Sequence, residues 1–214
     1  MARFFKKKDA GIGKPPGSLV FIGTKKVECS QIRVIDYDPA SLQEIELQDI
    51  KDGFAFKETE TVTWINIDGV QDTELIRSIG ENFGLHPLVM EDIVSTGQRP
   101  KLEEYDDYLF LVIKMLRYDK EEEMIIGEQI SMVLGKTFLL TFQEQPGDVF
   151  DPVRERIRKG KGRIRGTGID YLAYALLDTI VDNYVHIIER MGEQIEDIED
   201  EILDNTTPEV LQRI

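Results

Sequence analysis

Residues 128–142 read Glu128-Gln-Ile-Ser-Met-Val-Leu-Gly-Lys-Thr-Phe-Leu-Leu-Thr-Phe142, and this stretch decides the fold class. It contains two runs of strand length, 128–134 and 137–142, that are rich in β-branched, aliphatic and aromatic residues. Gly135-Lys136 separates the runs and is short enough for a tight hairpin link. The stretch therefore predicts two neighbouring strands joined by a tight turn.

Other strands and helices alternate along the chain before this hairpin. A short helix is predicted from a turn at Tyr37 to Leu47, and two further helices are predicted within residues 72–97. Predicted strands lie at residues 19–22, 27–34, 61–67 and 108–117. Interleaved helices and strands indicate an α/β domain of the α+β type, and hairpin-linked strands indicate a mixed sheet. We therefore expect an α/β layered domain.

The two helices within residues 72–97 have recognisable start and stop signals. Asp72 can cap the first helix, and Gly84 can end it. The second helix begins at His86-Pro87, with proline in its preferred first position, and it carries Glu91 and Asp92. We therefore expect these two acidic residues on one short helix.

The sequence pattern changes after residue 143. A helix is predicted at residues 148–159, and seven lysines and arginines fall within residues 154–165. From about residue 170 to 203, apolar residues recur at gaps of three and four, which predicts a heptad-like helix of about 50 Å. A helix of that length is expected to pack against another helix or another subunit. Thr207-Pro208-Glu209 signals the start of a further helix, so we expect the chain to be part of a longer protein.

These patterns divide the chain into two parts. Residues 1–166 are predicted to form the layered domain, with residues 1–17 as a mobile leader rich in lysine, glycine and proline. Residues 167–214 are predicted to form the long acidic, coiled-coil-like helix and the beginning of a further helix.

The chain is strongly acidic. It has 41 Asp and Glu residues against 26 Lys and Arg residues, for a formal net charge of −15, and residues 178–204 contain ten of the acids with a single arginine. This charge argues against nucleic acid as a partner, because affinity for phosphates comes from lysine and arginine. The acidic run fits either a solvated helix face or the binding of a hard divalent cation, which selects carboxylate oxygens. The basic segment 154–165 fits either pairing with neighbouring acids or contact with anionic lipid headgroups.

Several other functional classes lack their sequence signals. Cys29 is the only cysteine, so the chain has no internal disulfide. There is no Gly-x-x-x-x-Gly-Lys-Ser/Thr phosphate loop and no Gly-x-Ser-x-Gly nucleophile motif. No apolar run reaches the roughly 18 residues that cross a membrane. No histidine or other base accompanies the acids as a metal-dependent hydrolase would require, so we expect that the chain is not an enzyme.

Seven stretches follow one another along the chain in a specific order. They are Thr63-Trp-Ile-Asn-Ile, Phe83-Gly-Leu-His-Pro-Leu-Val-Met-Glu-Asp-Ile, Gln98-Arg-Pro-Lys, Glu128-Gln-Ile-Ser, Thr141-Phe-Gln-Glu, Gly147-Asp-Val-Phe-Asp-Pro-Val-Arg-Glu-Arg-Ile-Arg and Asp170-Tyr-Leu-Ala-Tyr-Ala-Leu-Leu-Asp. Together they resemble the CorA family of divalent-cation channels. The resemblance implies an αβα layered domain at the cytoplasmic face of the cell membrane, joined to long helices, and a pentameric assembly. It also implies a later stalk helix and two transmembrane helices, which would carry the pore.

The same resemblance implies which residues bind metal. In the family, regulatory Mg²⁺ lies between neighbouring cytoplasmic domains. Asp92 matches the family aspartate that faces an acid on the neighbour's stalk helix. Glu91 and Asp178 match a second, more peripheral site. We expect weak binding of Mg²⁺ there, with Co²⁺ or Ni²⁺ as other possible cargo of the intact channel.

Three functional hypotheses follow from the sequence. The first is a Mg²⁺-sensing domain of a CorA-type channel, in which divalent cations bound between subunits favour the closed state. The second is an acidic coiled-coil interaction module or scaffold without a specific role for ions. The third, a metal-dependent hydrolase, is disfavoured because the acids have no base beside them.

Overall fold

The computed structural model describes residues 13–119 and 124–204 and shows one mixed sheet of seven strands. The strands are β1 (Gln31–Tyr37), β2 (Leu42–Leu47), β3 (Val62–Asp68), β4 (Lys101–Glu104), β5 (Leu109–Asp119), β6 (Met124–Leu134) and β7 (Phe138–Gln143). The α-helices are α1 (Thr73–Phe83), α2 (Pro87–Val94), α3 (Asp151–Arg158) and α4 (Ile169–Asp204). Two 3-10 segments, Ile50–Glu58 and Ile164–Gly166, complete the set.

The sheet consists of two antiparallel groups joined by one parallel pair. The strand order is β2-β1-β3-β7-β6-β5-β4, and only β3 and β7 run parallel. The hairpin predicted at residues 128–142 is confirmed, since β6 and β7 are antiparallel with Leu134 opposite Leu139. The amide of Gly135 closes the turn by donating to the carbonyl of Phe138 at 2.9 Å.

Helices cover both faces of the sheet, which confirms the predicted αβα layering. Helices α1 and α2 bury Ile76, Ile79, Phe83, Val89 and Ile93 in a core on one face. The other face is covered by α3 and the first turns of α4, whose core residues are Val153, Ile157, Leu172, Leu176 and Ile180. The two helices predicted within residues 72–97 therefore cover the first face of the sheet.

The first turns of α1 and α2 form as the sequence predicts. Asp72 accepts hydrogen bonds from two backbone amides of α1, and Gly84 ends that helix in the left-handed conformation, with φ of 72°. In α2, Pro87 occupies the first turn, and the His86 side chain caps the helix by accepting from the amide of Leu88 at 3.2 Å. Both helices are thus fixed at their amino ends by local interactions.

Helix α4 has 36 residues and is about 54 Å long at ~1.5 Å per residue, so it extends past the sheet. Five residues of the predicted apolar stripe are exposed, from 45% at Met191 to 67% at Ile188: Val181, Val185, Ile188, Met191 and Ile195. The opposite side of the same part of the helix contacts the sheet, where the Arg190 guanidinium lies 3.8 Å from the centre of the Tyr118 ring. The pairing of the stripe with another helix or subunit stays a prediction.

Two secondary-structure predictions are wrong. Residues 42–47, expected at the end of a helix, form β2, in which the exposed Glu44 and Glu46 alternate with the partly buried Ile45 and Leu47. This two-residue period is that of a strand, and the pairing with β1 outweighs the helix propensity of Leu, Gln and Glu. Residues 19–22 form no strand, and Ile22 makes a single parallel bridge to Ser95.

Other strand boundaries also differ from those predicted from the sequence. The strand expected at residues 27–34 begins at Gln31 in the structure, and the short strand β4 was not predicted. The first twelve residues of the expected leader and the helix expected from Thr207 lie outside the described residues.

Part of the basic segment 154–165 pairs with acids of the same domain, which is one of the two interpretations of the sequence. Arg154 is only 3% exposed and donates two hydrogen bonds to the Asp148 carboxylate, at 2.5 and 2.7 Å. Its guanidinium also lies 4.9 Å from the centre of the Trp64 ring. Arg158 binds the Glu44 carboxylate with two hydrogen bonds, at 2.7 and 2.8 Å. These contacts hold α3 against β2 and β3.

Gly80 lets α1 approach α2, the helix that carries Glu91 and Asp92. A Cβ atom at this position would lie 1.9 Å from the Met90 sulfur and 2.7 Å from Met90 Cγ. Met90 is buried, so it has little room to yield.

We predict that Gly80→Ala lowers the free energy of unfolding by about 1–3 kcal/mol, because overpacking outweighs the gain in helix propensity. Gly192→Ala is the matched control, since that helical glycine has no atom within 4 Å of an added Cβ. It should raise the free energy of unfolding by up to ~1 kcal/mol. Urea denaturation measures both changes. Equal stabilisation by the two substitutions would contradict the close approach of α1 and α2.

A buried carboxyl group lies where β6 and β7 leave their pairing. Glu128 is 2% exposed, and its Oε1 accepts a hydrogen bond from the amide of Glu144 at 3.2 Å. Its Oε2 accepts none from the described residues. Burial raises the pKa of Glu128 to about 7.

We predict that Glu128 makes the fold less stable as pH rises from about 4.3 to 7, because the folded carboxyl keeps a proton that the unfolded chain has lost. Glu128→Gln should remove this loss, so that its advantage over the wild type grows to about 2–3 kcal/mol by pH 8. Denaturation series at pH 5 and pH 8 measure the difference. Glu81→Gln, at an exposed position on α1, is the control. A pH-independent difference between Glu128→Gln and wild type would refute the prediction.

Candidate divalent-cation site

Helix α2 presents the two acidic residues that the sequence singled out. The helix buries Val89, Met90, Ile93 and Val94 on its inner side. Glu91 and Asp92 lie next to this buried side and are half-buried. The eight-residue helix ends at Val94, and the following chain runs to β4. The carboxylates are therefore held on a rigid element next to the edge of the sheet.

Asp92 is the centre of a small charged group, which we call the Asp92 cluster: Glu91, Asp92, Lys101 and Glu103. The Lys101 ammonium donates to Asp92 Oδ2 at 2.5 Å and to Glu103 Oε1 at 2.7 Å. The Asp92 side chain is 17% exposed and that of Glu103 is 39% exposed. The cluster thus has three carboxylates and one ammonium group at a partly buried surface.

Burial and the contacts with Lys101 set the directions of the pKa shifts in this cluster. Burial raises the pKa of Asp92 even though Lys101 opposes the shift, and the neighbouring Glu103 and Glu91 carboxylates raise it further. The hydrogen bond from Lys101 is the main cause that lowers the pKa of Glu103. Burial works against the charge on Lys101, but its hydrogen bonds to Asp92 and Glu103 prevail and raise the pKa of its ammonium. An additional cation would stabilise the ionised form of Asp92.

Glu91 anchors the amino-terminal segment to α2. Its Oε2 accepts a hydrogen bond from the amide of Gly17 at 2.6 Å. Ile22 continues this contact, since its amide donates to the carbonyl of Val94 at 2.9 Å and its carbonyl accepts from the amide of Thr96 at 3.0 Å. The second half of α2 is therefore tied to residues more than 70 positions earlier in the sequence.

Asp178 is not next to Glu91 within one chain. It is exposed on α4, where its Oδ1 accepts a hydrogen bond from the Tyr174 hydroxyl at 3.3 Å. Helix α4 covers the face of the sheet opposite to that covered by α2. Within the residues that the structure describes, no three acidic, histidine or cysteine side chains are placed to hold a metal ion together.

Sequence reasoning missed the residues that surround Asp92. Lys101 and Glu103 are two positions apart on β4, so the period of a strand puts them on the same side. Gln129 on β6 donates from Nε2 to the backbone carbonyl of Asp92 at 3.1 Å and accepts from the amide of Gln98 at 3.0 Å. The Lys-x-Glu alternation is the sequence signal that could have identified Lys101 and Glu103. Gln129 could be identified only from the structure of the sheet.

The acidic residues of α4 as far as Asp200 lie on solvent-facing positions, including Asp182, Glu189, Glu193 and Glu196. Their arrangement is that of a solvated helix face, one of the two sequence interpretations. No helix in the part of the chain that the structure describes is long and apolar enough to cross a membrane.

The sequence comparisons identify relatives over almost the whole chain. Residues 59–214 match the family model described as CorA-like Mg²⁺ transporter protein. The Cobalt/magnesium transport protein CorA of Thermotoga maritima is 43% identical over 208 residues, which cover 97% of this chain and 59% of that protein. Magnesium transporter ALR2 of Saccharomyces cerevisiae is 30% identical over 163 residues, which cover 74% of this chain and 19% of that protein. The chain thus spans less than two thirds of the length of these relatives.

Solved structures of low sequence identity share the fold. The soluble domain of CorA from Methanocaldococcus jannaschii superposes with a TM-score of 0.63 at 19% identity, covering 85% of this chain and 68% of that one. The full-length CmaX protein superposes with a TM-score of 0.65 at 13% identity, covering 86% and 55% of the two chains. Because the family model spans most of the chain, the chain belongs to the CorA-like Mg²⁺ transporter family, whose members are ion transporters and not enzymes.

Proposed function

We propose that this chain is the cytoplasmic, Mg²⁺-sensing part of a CorA-type transporter, and that divalent cations bound between neighbouring copies favour the closed state. The observation that carries the proposal is the Asp92 cluster, where the single ammonium group of Lys101 pairs with Asp92 and Glu103 and the Glu91 carboxylate lies beside them. Mg²⁺ prefers oxygen ligands and keeps several of its waters. The partly buried carboxylates of Asp92 and Glu103 are therefore a suitable weak site.

The positions of Glu91 and Asp178 support a site completed by a second copy. The two residues lie on opposite faces of the sheet, on α2 and α4. An assembly in which one face of each copy meets the opposite face of the next is head-to-tail, and such an interface forms a ring when the rotation between copies closes. A pentameric ring would bring Glu91 of one copy toward Asp178 of another, as the resemblance to the family implies.

Electrostatic repulsion supplies the gating mechanism. Each chain carries a formal charge of −15, so neighbouring copies repel each other. A divalent cation between their carboxylates replaces this repulsion with shared coordination, and its loss at low Mg²⁺ lets the copies separate. A coupling of about 1–3 kcal/mol per site is typical of allostery, and several equivalent sites add to it. Helix α4 extends about 54 Å and could carry the displacement toward the membrane.

The names of the relatives indicate the class of ion. The Thermotoga maritima relative is named for cobalt and magnesium, and the yeast relative for magnesium. Mg²⁺ is therefore the expected regulator, and Co²⁺ is the second candidate for binding and transport. The intact protein would reach the membrane through helices that follow the described residues.

A second candidate function is supported by the exposed stripe on α4. Val181, Val185, Ile188 and Ile195 are each at least 50% exposed. Such a stripe could bind a partner helix and act as a scaffold without any ion. In that case, association of the chain would not respond to divalent cations.

We predict that Mg²⁺ at about ten times its dissociation constant stabilises the wild-type chain by ~1.4 kcal/mol and raises its Tm by a few degrees. Asp92→Asn should remove most of this rise, because it removes the carboxylate of the site. Thermal denaturation with and without MgCl2, at constant ionic strength, measures the effect.

Asp182→Asn is the matched control for this experiment, since it removes one exposed carboxylate of α4. It should keep the wild-type response to Mg²⁺. The sensor assignment of Asp92 is wrong if Asp92→Asn responds as the wild type does and NaCl of equal ionic strength reproduces the whole shift.

A further inference from the structure

The Lys101 ammonium occupies the position between two carboxylates where a cation would be expected. It donates to Asp92 Oδ2 at 2.5 Å and to Glu103 Oε1 at 2.7 Å. Any ion that binds Asp92 directly must share this carboxylate with Lys101 or displace it. The cluster therefore contains its own bound cation, which is covalently attached to β4.

The surroundings of Lys101 hold the ammonium in this place. Its Nζ lies 5.4 Å from the centre of the Phe110 ring, which attracts the positive charge. The side chain is only 27% exposed, so its aliphatic part is packed against the protein.

We propose that Lys101 is a built-in competitor of the cation at Asp92, which sets the divalent concentration that fills the site and excludes monovalent ions. The proposal rests on the proposed function, since it takes Asp92 as part of the sensor site. Lys101 acts here through the carboxylate and is a positioning residue rather than a ligand.

Competition by a tethered ammonium affects monovalent and divalent ions differently. K⁺ would replace one positive charge by another, and the tether gives Lys101 a high effective concentration that a free ion must overcome. A divalent ion brings twice the charge, which the three carboxylates of the cluster favour. The displaced ammonium can remain paired with Glu103, so the exchange does not leave it without a partner.

The competition also explains why a sensor would include a lysine at its metal site. A site of unopposed carboxylates would stay filled when the divalent concentration falls, and it would report nothing. An ion that must displace Lys101 binds more weakly, so the site empties at a higher concentration of the divalent ion. The ion pair thus moves the response toward the concentration range in which regulation is needed.

The test compares the Mg²⁺ concentration that half-saturates the wild-type chain with that of Lys101→Met, which keeps the aliphatic part of the side chain and removes the charge. Titration calorimetry or Tm against MgCl2, at constant ionic strength, gives this concentration. We expect half-saturation at about a three- to tenfold lower Mg²⁺ concentration in Lys101→Met. Replacing NaCl or KCl by a bulky organic salt should change the Mg²⁺ response of Lys101→Met more than that of the wild type.

Three further variants separate charge from packing and location. Lys101→Arg keeps the charge and should stay within about twofold of the wild type, because the ion pair persists. Lys101→Gln repeats the removal of charge if the methionine variant folds poorly. Lys136→Met removes the ammonium of an exposed ion pair with Asp107, in which both side chains are 82% exposed. It controls for net charge and should leave half-saturation unchanged.

The outcomes separate this proposal from the proposed function. If the wild-type response depends on Asp92 but neither Lys101→Met nor Lys101→Gln tightens Mg²⁺ binding, the competition is refuted and the sensor assignment stands. If affinity rises in Lys101→Met and the rise persists when Asp92→Asn is added, the ion binds elsewhere and both proposals fail. A rise in Mg²⁺ affinity in Lys101→Met that disappears when Asp92→Asn is added supports both proposals.

Discussion

The parallel pairing of β3 with β7 joins two antiparallel groups of strands into one sheet, and the rest of the layered domain depends on it. The pairing runs from Thr63 opposite Phe138 to Asp68 opposite Gln143. Parallel neighbours need a long crossover connection, and here that connection contains α1, α2 and three further strands. The crossover places α2 on one face of the sheet while the chain after β7 places α3 and α4 on the other.

This arrangement explains why the Asp92 cluster lies at the edge of the sheet. Helix α2 packs through Met90 against Gly80 of α1, and its carboxyl end is held by Gln129 of β6. The short strand β4 then brings Lys101 beside Asp92. The cluster therefore combines residues from a helix and from an edge strand. An ion can reach it from solvent at this position.

Local signals in the sequence predict much of the fold but only part of the site. The β6–β7 hairpin and the capped helices α1 and α2 follow from short-range patterns. Strand β2 was mistaken for a helix because Leu, Gln and Glu favour helices, whereas its pairing with β1 is a tertiary contact. Glu91 and Asp92 could be selected by resemblance. Their partners Gly17 and Gln129 are 74 and 37 residues away and could not be read from spacing.

The central claim is that a divalent cation binds at Asp92 in exchange for the Lys101 ammonium. Diffraction from crystals soaked in Co²⁺, recorded at the cobalt absorption edge, tests it most directly. We predict an anomalous peak within about 5 Å of the Asp92 carboxylate, as for an ion that keeps some waters, with Lys101 Nζ moved away from Oδ2. A peak confined to the acidic surface of α4, with the Lys101–Asp92 ion pair intact, would contradict it.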